Sequence, residues 1–559
     1  MRLDDAAIQH LLWTEKLLTK EQIESAVLLA PSLGKSFVDT LIFKSFISED
    51  KLGEVIAESL GVEYTPLKGR TIATEVLDLI SEESAVAHQI VPFDKNATEL
   101  HLAMADPTDF EIINFIEKKT GLIVRPHYAF PDQITIGLAQ YKRDINTDLK
   151  KILNRVDDIG TDLTKLAEDV PTIKMLDTIM EYAIVQNASD VHIEGQETNS
   201  LVRFRIDGLL HDILVLDKKV QEAIVARIKY LSNLKIDEHR LPQDGRFKYE
   251  HIGNKVAVRV SILPAFYAEN VVMRLLSETS KTQTLEELGF APHNIEIIVR
   301  EIQRTNGIIL LTGPTGSGKT TTLYSLIERL NKPEVKIATI EDPVEYSVPR
   351  ISQTQVNPAS GLDFASGLRA LLRHDPNIIM VGEIRDQETA DISINAALTG
   401  HLVLSTLHTN DATSSIPRLI DLGVEPFLLA ATIRVVVAQR LVRLLCSKCA
   451  TPVQLTDAEV EELVNLTRFS ADEIRSKTFF TPQGCSDCSD GYKGRLGIHE
   501  VLLVNETVNK LIVAHPNNDI LRTEAIKEGM YTMLQDGIAK AGSGLTTIQE
   551  VLREVGRQN

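Results

Sequence analysis

The fold of the carboxyl-terminal half is decided by the stretch Gly313-Pro314-Thr315-Gly316-Ser317-Gly318-Lys319-Thr320. It follows the apolar run Ile308 to Leu311, which is typical of a buried strand, and it opens the helical run Thr321 to Leu330. A strand, a glycine-rich turn and a helix in this order predict a phosphate-binding loop, whose backbone N–H groups surround phosphate oxygens. We assign nucleotide binding to residues 313–321, with Lys319 on the outer phosphates and the Thr320 hydroxyl on Mg²⁺.

Carboxylates follow the next two apolar strands of the predicted α/β sheet. They are Glu341, Asp342 and Glu345 after the run Lys336 to Ile340, and Glu383 after the run Ile378 to Val381. Ligands of α/β sheets bind beyond the carboxyl ends of the strands, so these side chains are expected near the phosphates. One of the first three is expected to polarise water, and Glu383 to hold a magnesium-bound water. A solvated turn is the alternative for the first group.

Two histidines, His401 and His408, flank a further apolar run in the stretch from Gly400 to Thr409. At the edge of a nucleotide site they would sense the γ-phosphate. A single histidine is more often a structural residue with satisfied hydrogen bonds. Both interpretations stay open at this point.

The four cysteines of the chain form two C-x-x-C pairs, Cys446 with Cys449 and Cys485 with Cys488, separated by 35 residues. Such pairs are typical of a zinc site, in which each pair supplies half of a tetrahedral shell. Disulfides are the alternative, but a reducing cytoplasm and a large core make them unnecessary. Four thiolates leave no position for water, so we expect Zn²⁺ to be structural.

Length and charge limit the classes of function. The 559 residues suffice for three or four cored units, and a net charge of −19 disfavours binding to nucleic acid. The amino terminus shows no secretory signal, so we expect a cytoplasmic protein. Arginines interrupt the apolar stretch Phe427 to Leu445, so we expect contact with the membrane only through a partner.

Four segments of the chain precede its last domain. A helical repeat with a 29-residue offset spans residues 1–62, and a small α+β part spans residues 63–141, together forming a first amino-terminal domain. A charged linker is predicted at residues 142–169 and a second α+β domain at residues 170–280. The α/β motor domain then spans residues 281–559 and carries the cysteine insert at residues 446–488.

Further motifs accompany the phosphate-binding loop in the same order as in a known family. They are Ser189-Asp-Val-His-Ile-Glu194, Arg203-Phe-Arg-Ile-Asp-Gly208, Leu241-Pro-Gln-Asp-Gly-Arg246, the acidic segment 341–345, the histidine segment 400–409 and the four cysteines. With these motifs the whole chain resembles the type IV pilus assembly ATPases and their type II secretion relatives.

This resemblance implies a homohexameric ring that hydrolyses ATP. In it, a PAS-like second domain and a RecA-like motor domain enclose the nucleotide. Glu345 would be the general base, and Glu383 would support Mg²⁺ and water. Arginines of the second domain would reach the phosphates of the neighbouring subunit, with Arg227 first and Arg203 and Arg246 as further candidates. The ring would dock on the inner face of the cytoplasmic membrane through a platform protein, together with pilus alignment proteins.

Two departures limit what the resemblance implies. His211 stands where relatives often have an arginine, which puts the set of phosphate-contacting arginines in doubt. The repeat resembles a cyclic-di-GMP-binding domain, but it opens with Arg2-Leu3-Asp4 in place of Arg-Leu-Gly, and Lys16 and Ser45 replace glycines. Since glycines allow close approach to the dinucleotide, we expect a docking module, and cyclic-di-GMP binding stays open as the alternative.

Four other functions stay open. A type II secretion ATPase would differ mainly in its partner. A pilus retraction motor would resemble only the last two domains and would usually lack the cysteine insert. A nucleic-acid translocase would need a basic track with aromatic side chains, and the acidic balance counts against it. A scaffold that binds nucleotide without hydrolysis would not need both Glu345 and Glu383.

Overall fold

The computed structural model describes residues 5–33, 36–44, 46–68, 70, 72–141, 169–251, 254–277, 283–485, 488–514 and 517–556. These residues form two compact units, Met1–Ser280 and Lys281–Asn559. The predicted linker, apart from its last residue, and the opening Arg2-Leu3-Asp4 lie outside the described residues. Among the helices of the described ranges, none has the length and hydropathy needed to cross a membrane.

Short helices make up the start of the first unit. Capping residues begin two of them: Thr19 exchanges hydrogen bonds with Gln22, and Ser48 accepts from the backbone N–H of Lys51 at 3.3 Å. Leu12, Leu41 and Leu52 pack in the core between the helices, as their spacing predicts. The helices are α1 Asp5–Thr14, α2 Lys20–Leu33, α3 Phe37–Phe43 and α4 Glu49–Ser59.

A small α+β module follows, and its sheet has the strand order β1-β4-β3-β2. Only the β2–β3 pair is antiparallel. The strands are β1 Glu63–Tyr64, β2 Ile90–Lys95, β3 Glu99–Met104 and β4 Ile123–Tyr128. The helices are α5 Thr74–Leu77, α6 Glu82–His88, α7 Phe110–Thr120 and α8 Pro131–Leu138, and a 3-10 turn spans Ala139–Tyr141.

The second module of this unit is a sheet in which every strand pair is antiparallel, in the order β7-β6-β5-β10-β9-β8. Alternate residues of its strands are buried, so that one face packs in the core and the other carries polar side chains. The strands are β5 Asp190–Gly195, β6 Asn199–Ile206, β7 Leu209–Asp217, β8 Gln243–His251, β9 Asn254–Pro264 and β10 Glu269–Ser277. The helices are α9 Val170–Val185 and α10 Lys218–Leu231.

The second unit is built on a sheet with the strand order β13-β12-β14-β15-β11-β16-β19. All neighbours are parallel except the last pair, and the central strands are buried on both faces, as expected for an α/β sheet covered by helices. The fold class predicted for the motor domain is thus confirmed. The strands are β11 Gly307–Thr312, β12 Ile337–Glu341, β13 Ile351–Gln355, β14 Ile378–Val381, β15 Leu402–Leu407, β16 Ile433–Leu445 and β19 Tyr492–Leu503.

Helices cover both faces of this sheet. Those before the cysteine insert are α11 Pro292–Ile302, α12 Lys319–Leu330, α13 Phe364–Leu372, α14 Gln387–Leu398, α15 Ser415–Asp421 and α16 Pro426–Thr432, and a 3-10 turn spans Pro358–Ser360. The insert contains β17 Thr451–Val453, α17 Asp457–Thr467, α18 Ala471–Arg475 and β18 Phe479–Thr481. After β19 come α19 Glu506–Val513, α20 Asn518–Lys527, α21 Met533–Ala541 and α22 Ile548–Val555.

Candidate active site

The phosphate-binding loop joins the buried strand β11 to helix α12, as predicted. Gly313, Gly316 and Gly318 have φ values of +142°, +80° and +88°, which a side chain would strain. Gly318 is also the residue that precedes α12, so the loop delivers its backbone N–H groups to a helix N-terminus. Pro314, Thr315, Gly316, Thr320 and Thr321 are exposed, whereas Ser317 is buried.

Lys319 is the buried cation of this loop, with 9% of its surface exposed. Its Nζ donates to the carbonyl oxygens of Gly313, at 2.7 Å, and of Pro314, at 3.1 Å. Burial lowers the pKa of Lys319, and the negative charge of Glu383 acts in the opposite direction. An ammonium group held in this way, inside a loop of N–H donors, is suited to an anion.

The parallel register brings the predicted acidic residues to the loop's edge of the sheet. Strand β15 lies between β11 and β14, and β12 is the next neighbour of β14. The carboxyl ends of these strands are followed by the loop, His408, Glu383 and the acidic segment 341–345. The backbone N–H of Gly382 donates to the Ile340 oxygen at 2.8 Å, which fixes the two acidic segments side by side.

Glu341 is the innermost carboxylate, with 3% of its surface exposed. It accepts hydrogen bonds from the Tyr324 hydroxyl at 2.6 Å, from Thr339 and from Gln353. Burial raises the pKa of Glu341, and the nearby charge of Glu345 acts in the same direction. Glu341 is therefore held by donors within the sheet, and Glu345, which is only half-buried, is better placed to meet solvent.

Glu383 contacts one predicted residue, His408, and one that the sequence analysis missed, Arg385. One of its oxygens lies 3.0 Å from Nε2 of His408, and the other pairs with Arg385. The hydrogen bond with Glu383 raises the pKa of Arg385, and the charge of Asp342 acts in the same direction. Glu383, His408, Arg385 and Asp342 thus form one charged group beside Lys319.

The structure does not bring His401 to this group. Its carbonyl oxygen accepts from the N–H of Gly307, so His401 lies at the amino end of β11 and β15. Its Nδ1 lies 2.9 Å from the oxygen of Ala396. The six residues of β15 separate it from His408 by about 20 Å. The expectation of a γ-phosphate sensor is therefore retained for His408 only.

The three candidate arginines belong to the first unit. Arg203 pairs with Glu194 at 3.4 Å and with Asp212 at 3.1 Å. Arg227 is half-buried on α10, with its guanidinium 5.3 Å from the ring centre of Tyr230. Arg246 is exposed on β8.

Strand register adds two arginines that sequence reasoning missed. Arg246 lies opposite Arg259, and Arg259 lies opposite Arg274, so three arginines form a row across β8, β9 and β10. Arg274 is neutralised by Asp190, with Nε 2.9 Å from Oδ1. Arg246 and Arg259 are like charges that lie directly opposite each other on one face of the sheet.

The four cysteines meet in one cluster, as their spacing predicts. Their Sγ atoms lie within 4.8 Å of one another, with Cys446–Cys485 at 3.9 Å, Cys449–Cys488 at 3.6 Å and Cys485–Cys488 at 3.5 Å. Four sulfurs around zinc, each about 2.3 Å from the metal, are about 3.8 Å apart in a tetrahedron. The cluster is therefore compatible with Zn²⁺ and closes the insert where it leaves β16 and rejoins β19.

Comparison with known proteins shows the family to which the chain is related. The Type II/IV secretion system protein family matches residues 165–553, and the MshEN domain family matches residues 60–146. The type IV pilus assembly ATPase PilB of Myxococcus xanthus is 38% identical over 555 residues, which cover 97% of this chain and 98% of that protein. The type II secretion system protein E of Dickeya dadantii is 46% identical over 393 residues, 70% of this chain and 77% of that protein.

A solved structure supports the fold. The ATPase DotB of Legionella pneumophila is similar with a TM-score of 0.52 at 22% identity, over 69% of this chain and 96% of that chain. The family match spans the second module and the motor unit, and the pilus assembly relative extends it to almost every residue. This chain belongs to the type II/IV secretion system protein family.

Proposed function

We propose that this chain is the ATPase that powers assembly of type IV pili. The observation that carries this proposal is the phosphate-binding loop beside the charged group of Glu383, His408, Arg385 and Asp342. The alignment with a relative named as a type IV pilus assembly ATPase, which covers 97% of this chain at 38% identity, supports the cellular role.

The residues at the carboxyl ends of the strands have separate roles in ATP hydrolysis. Lys319 and the loop N–H groups hold the β- and γ-phosphates, and Thr320 with Glu383 would hold Mg²⁺. The bound metal supplies positive charge that neutralises the developing charge on the phosphate oxygens. Glu345 accepts a proton from the attacking water, and His408 is positioned by Glu383 at 3.0 Å to meet the γ-phosphate.

Glu341 has a supporting role in this proposal. Its hydrogen bonds with Tyr324, Thr339 and Gln353 fix the turn that begins at Asp342. A backbone hydrogen bond from Glu345 to the Tyr324 hydroxyl continues this network to the proposed base. Glu341 therefore positions Glu345 and does not itself take the proton.

The second domain completes the site from a neighbouring subunit of a homohexamer. Arg227, Arg203 and Arg246 remain the candidates, and Arg246 lies in one row with Arg259 and Arg274. Positive charge brought to the transferring phosphoryl group stabilises its transition state. The domain movement that follows would act on a platform protein in the cytoplasmic membrane, with alignment proteins of the pilus as further partners.

We propose that the cysteine cluster holds a structural Zn²⁺. All four ligand positions are thiolates, so no position is left for a catalytic water. The ion would tie the insert to the ends of β16 and β19.

We propose that the amino-terminal domain docks a protein partner, with cyclic-di-GMP as the alternative ligand. A cavity of about 680 Å³ between α4 and β1 is lined by Asp50, Glu54, Glu58 and Glu63. Four carboxylates repel the two phosphates of a cyclic dinucleotide, so this cavity does not fit that ligand.

A type II secretion ATPase is the second candidate, favoured by the higher identity of the type II relative over 393 residues. A deletion strain complemented with wild type, Lys319→Ala or Glu345→Gln separates the two. We expect only wild type to restore surface pili, while secretion of folded exoproteins is the same in all strains. Loss of secretion with normal pili would establish the second candidate.

A further inference from the structure

Gln439 lies beneath the phosphate-binding loop and takes no part in the chemistry described above. It belongs to β16, the neighbour of β11 on the side away from β15, and only 1% of its surface is exposed. Its Oε1 accepts the hydroxyl of Thr322, on the first turn of α12, at 2.7 Å. The side chain therefore joins the strand to the helix that carries Lys319.

Two glycines of the loop lie directly against Gln439. A Cβ on Gly313 would lie 2.5 Å from the backbone oxygen of Gln439. A Cβ on Gly318 would lie 2.7 Å from Nε2 of the same residue. Real Cβ atoms do not approach other atoms so closely, so the loop rests directly on Gln439 at both ends.

The amide nitrogen of this side chain lacks an acceptor. Nε2 of Gln439 is buried, and it forms no hydrogen bond with any residue that the structure describes. A buried donor without an acceptor is costly, because the group has given up its water. The carbonyl oxygens of Gly313 and Pro314 have Lys319 as a donor in this structure.

Binding of a phosphate changes this balance. The Lys319 ammonium reaches the outer phosphates with its three N–H groups, two of which donate to loop carbonyls in this structure, so we expect the hydrogen bonds of the loop to rearrange on binding. Nε2 of Gln439 lies against Gly318, at the helix end of the loop, and it is a buried donor that has no acceptor among the described residues. A rearranged loop can bring a backbone oxygen to this donor.

We propose that Gln439 is a positioning residue for nucleotide, whose buried amide nitrogen gains an acceptor in the phosphate-binding loop when a nucleotide is bound. This inference rests on the proposed function, since it requires a nucleotide in the loop. It makes the donor that is unsatisfied in this structure a source of affinity, because its hydrogen bond forms only in the bound state.

The test is ADP binding to the purified full chain, measured with Mg²⁺ by titration and by the rise in unfolding temperature. Gln439→Met keeps the length of the side chain and removes the amide. We expect Kd for ADP to rise about tenfold and the ADP-induced stabilisation to fall. Thr322→Val removes only the hydroxyl, and it should weaken binding in the same direction with an effect that does not add to that of Gln439→Met.

Gln535→Met is the matched control, because Gln535 caps α21 away from the loop. It should lower the unfolding temperature without nucleotide and leave Kd for ADP unchanged. If Gln439→Met behaves like this control, Gln439 is only structural and the inference is overturned. If wild type itself binds no ADP, the proposed function fails instead.

Discussion

At the scale of single residues, the candidate site is a set of charges that hold one another in place. Glu383 pairs with His408 and Arg385, and its negative charge opposes the lowering of the Lys319 pKa by burial. Glu341 is held by donors of the sheet, whereas Glu345 is half-buried and is the residue that we propose as the base. We therefore propose different roles for these two glutamates of one acidic segment.

Glu345→Gln should separate nucleotide binding from hydrolysis. The substitution keeps the size of the side chain and removes its capacity to accept a proton, so we expect kcat to fall about 100-fold or more. The affinity for ATP should stay near that of wild type, as measured by titration. Lys319→Ala is the comparison, because it should abolish binding as well. Full turnover by Glu345→Gln would show that another group is the base.

At the scale of elements, the loop depends on the strand beside it as well as on its own glycines. Gly313 and Gly316 both have positive φ, but a Cβ on Gly316 would meet no atom within 4 Å. A Cβ on Gly313 would meet the backbone of β16, which cannot move without the sheet. The same substitution therefore has two different costs within one loop.

Gly313→Ala and Gly316→Ala should show this difference. Both pay the strain of a left-handed backbone, about 1–2 kcal/mol, and only Gly313→Ala adds the contact with Gln439. We expect Gly313→Ala to lose measurable ADP binding, while Gly316→Ala retains it with reduced affinity. Equal affinities for the two variants would contradict the packing described for the loop.

The cysteine insert gives a second test at this scale. We expect about one zinc per chain by elemental analysis. The variant with Cys446→Ser and Cys485→Ser should lose the metal and unfold at a lower temperature, since two ligands cannot hold the site closed. Ser447→Ala, between the two cysteines of the first pair, should keep the zinc content and the unfolding temperature of wild type. A metal-free wild type of undiminished stability would refute the zinc site.

Elements that follow local patterns could be predicted from the sequence. The loop at 313–320 and the paired cysteines are contiguous or strictly spaced, and the helix caps at Thr19 and Ser48 follow from a single side chain. Groups that meet only through strand pairing could not. Gln439 is distant along the chain from Thr322, and the row from Arg246 to Arg274 depends on the register of three strands.

At the scale of the whole molecule, the residues of the proposed reaction are divided between two compact units. The loop, the acidic residues and His408 belong to Lys281–Asn559, and the candidate arginines belong to Met1–Ser280. We propose that an arginine from another subunit reaches the phosphates and completes this site. Activity should therefore depend on assembly of the ring.

ATP turnover by mixed subunits tests whether the loop of one subunit works with the arginines of another. Lys319→Ala supplies intact arginines without a working loop, and a variant with Arg227→Ala and Arg246→Ala supplies an intact loop. Each should be inactive alone, and ring-sized fractions of the mixture should regain turnover, because a loop of one subunit meets the arginines of the next. Hydrolysis by monomers at the rate of wild-type rings, or a mixture as inactive as its components, would contradict a nucleotide site shared between subunits.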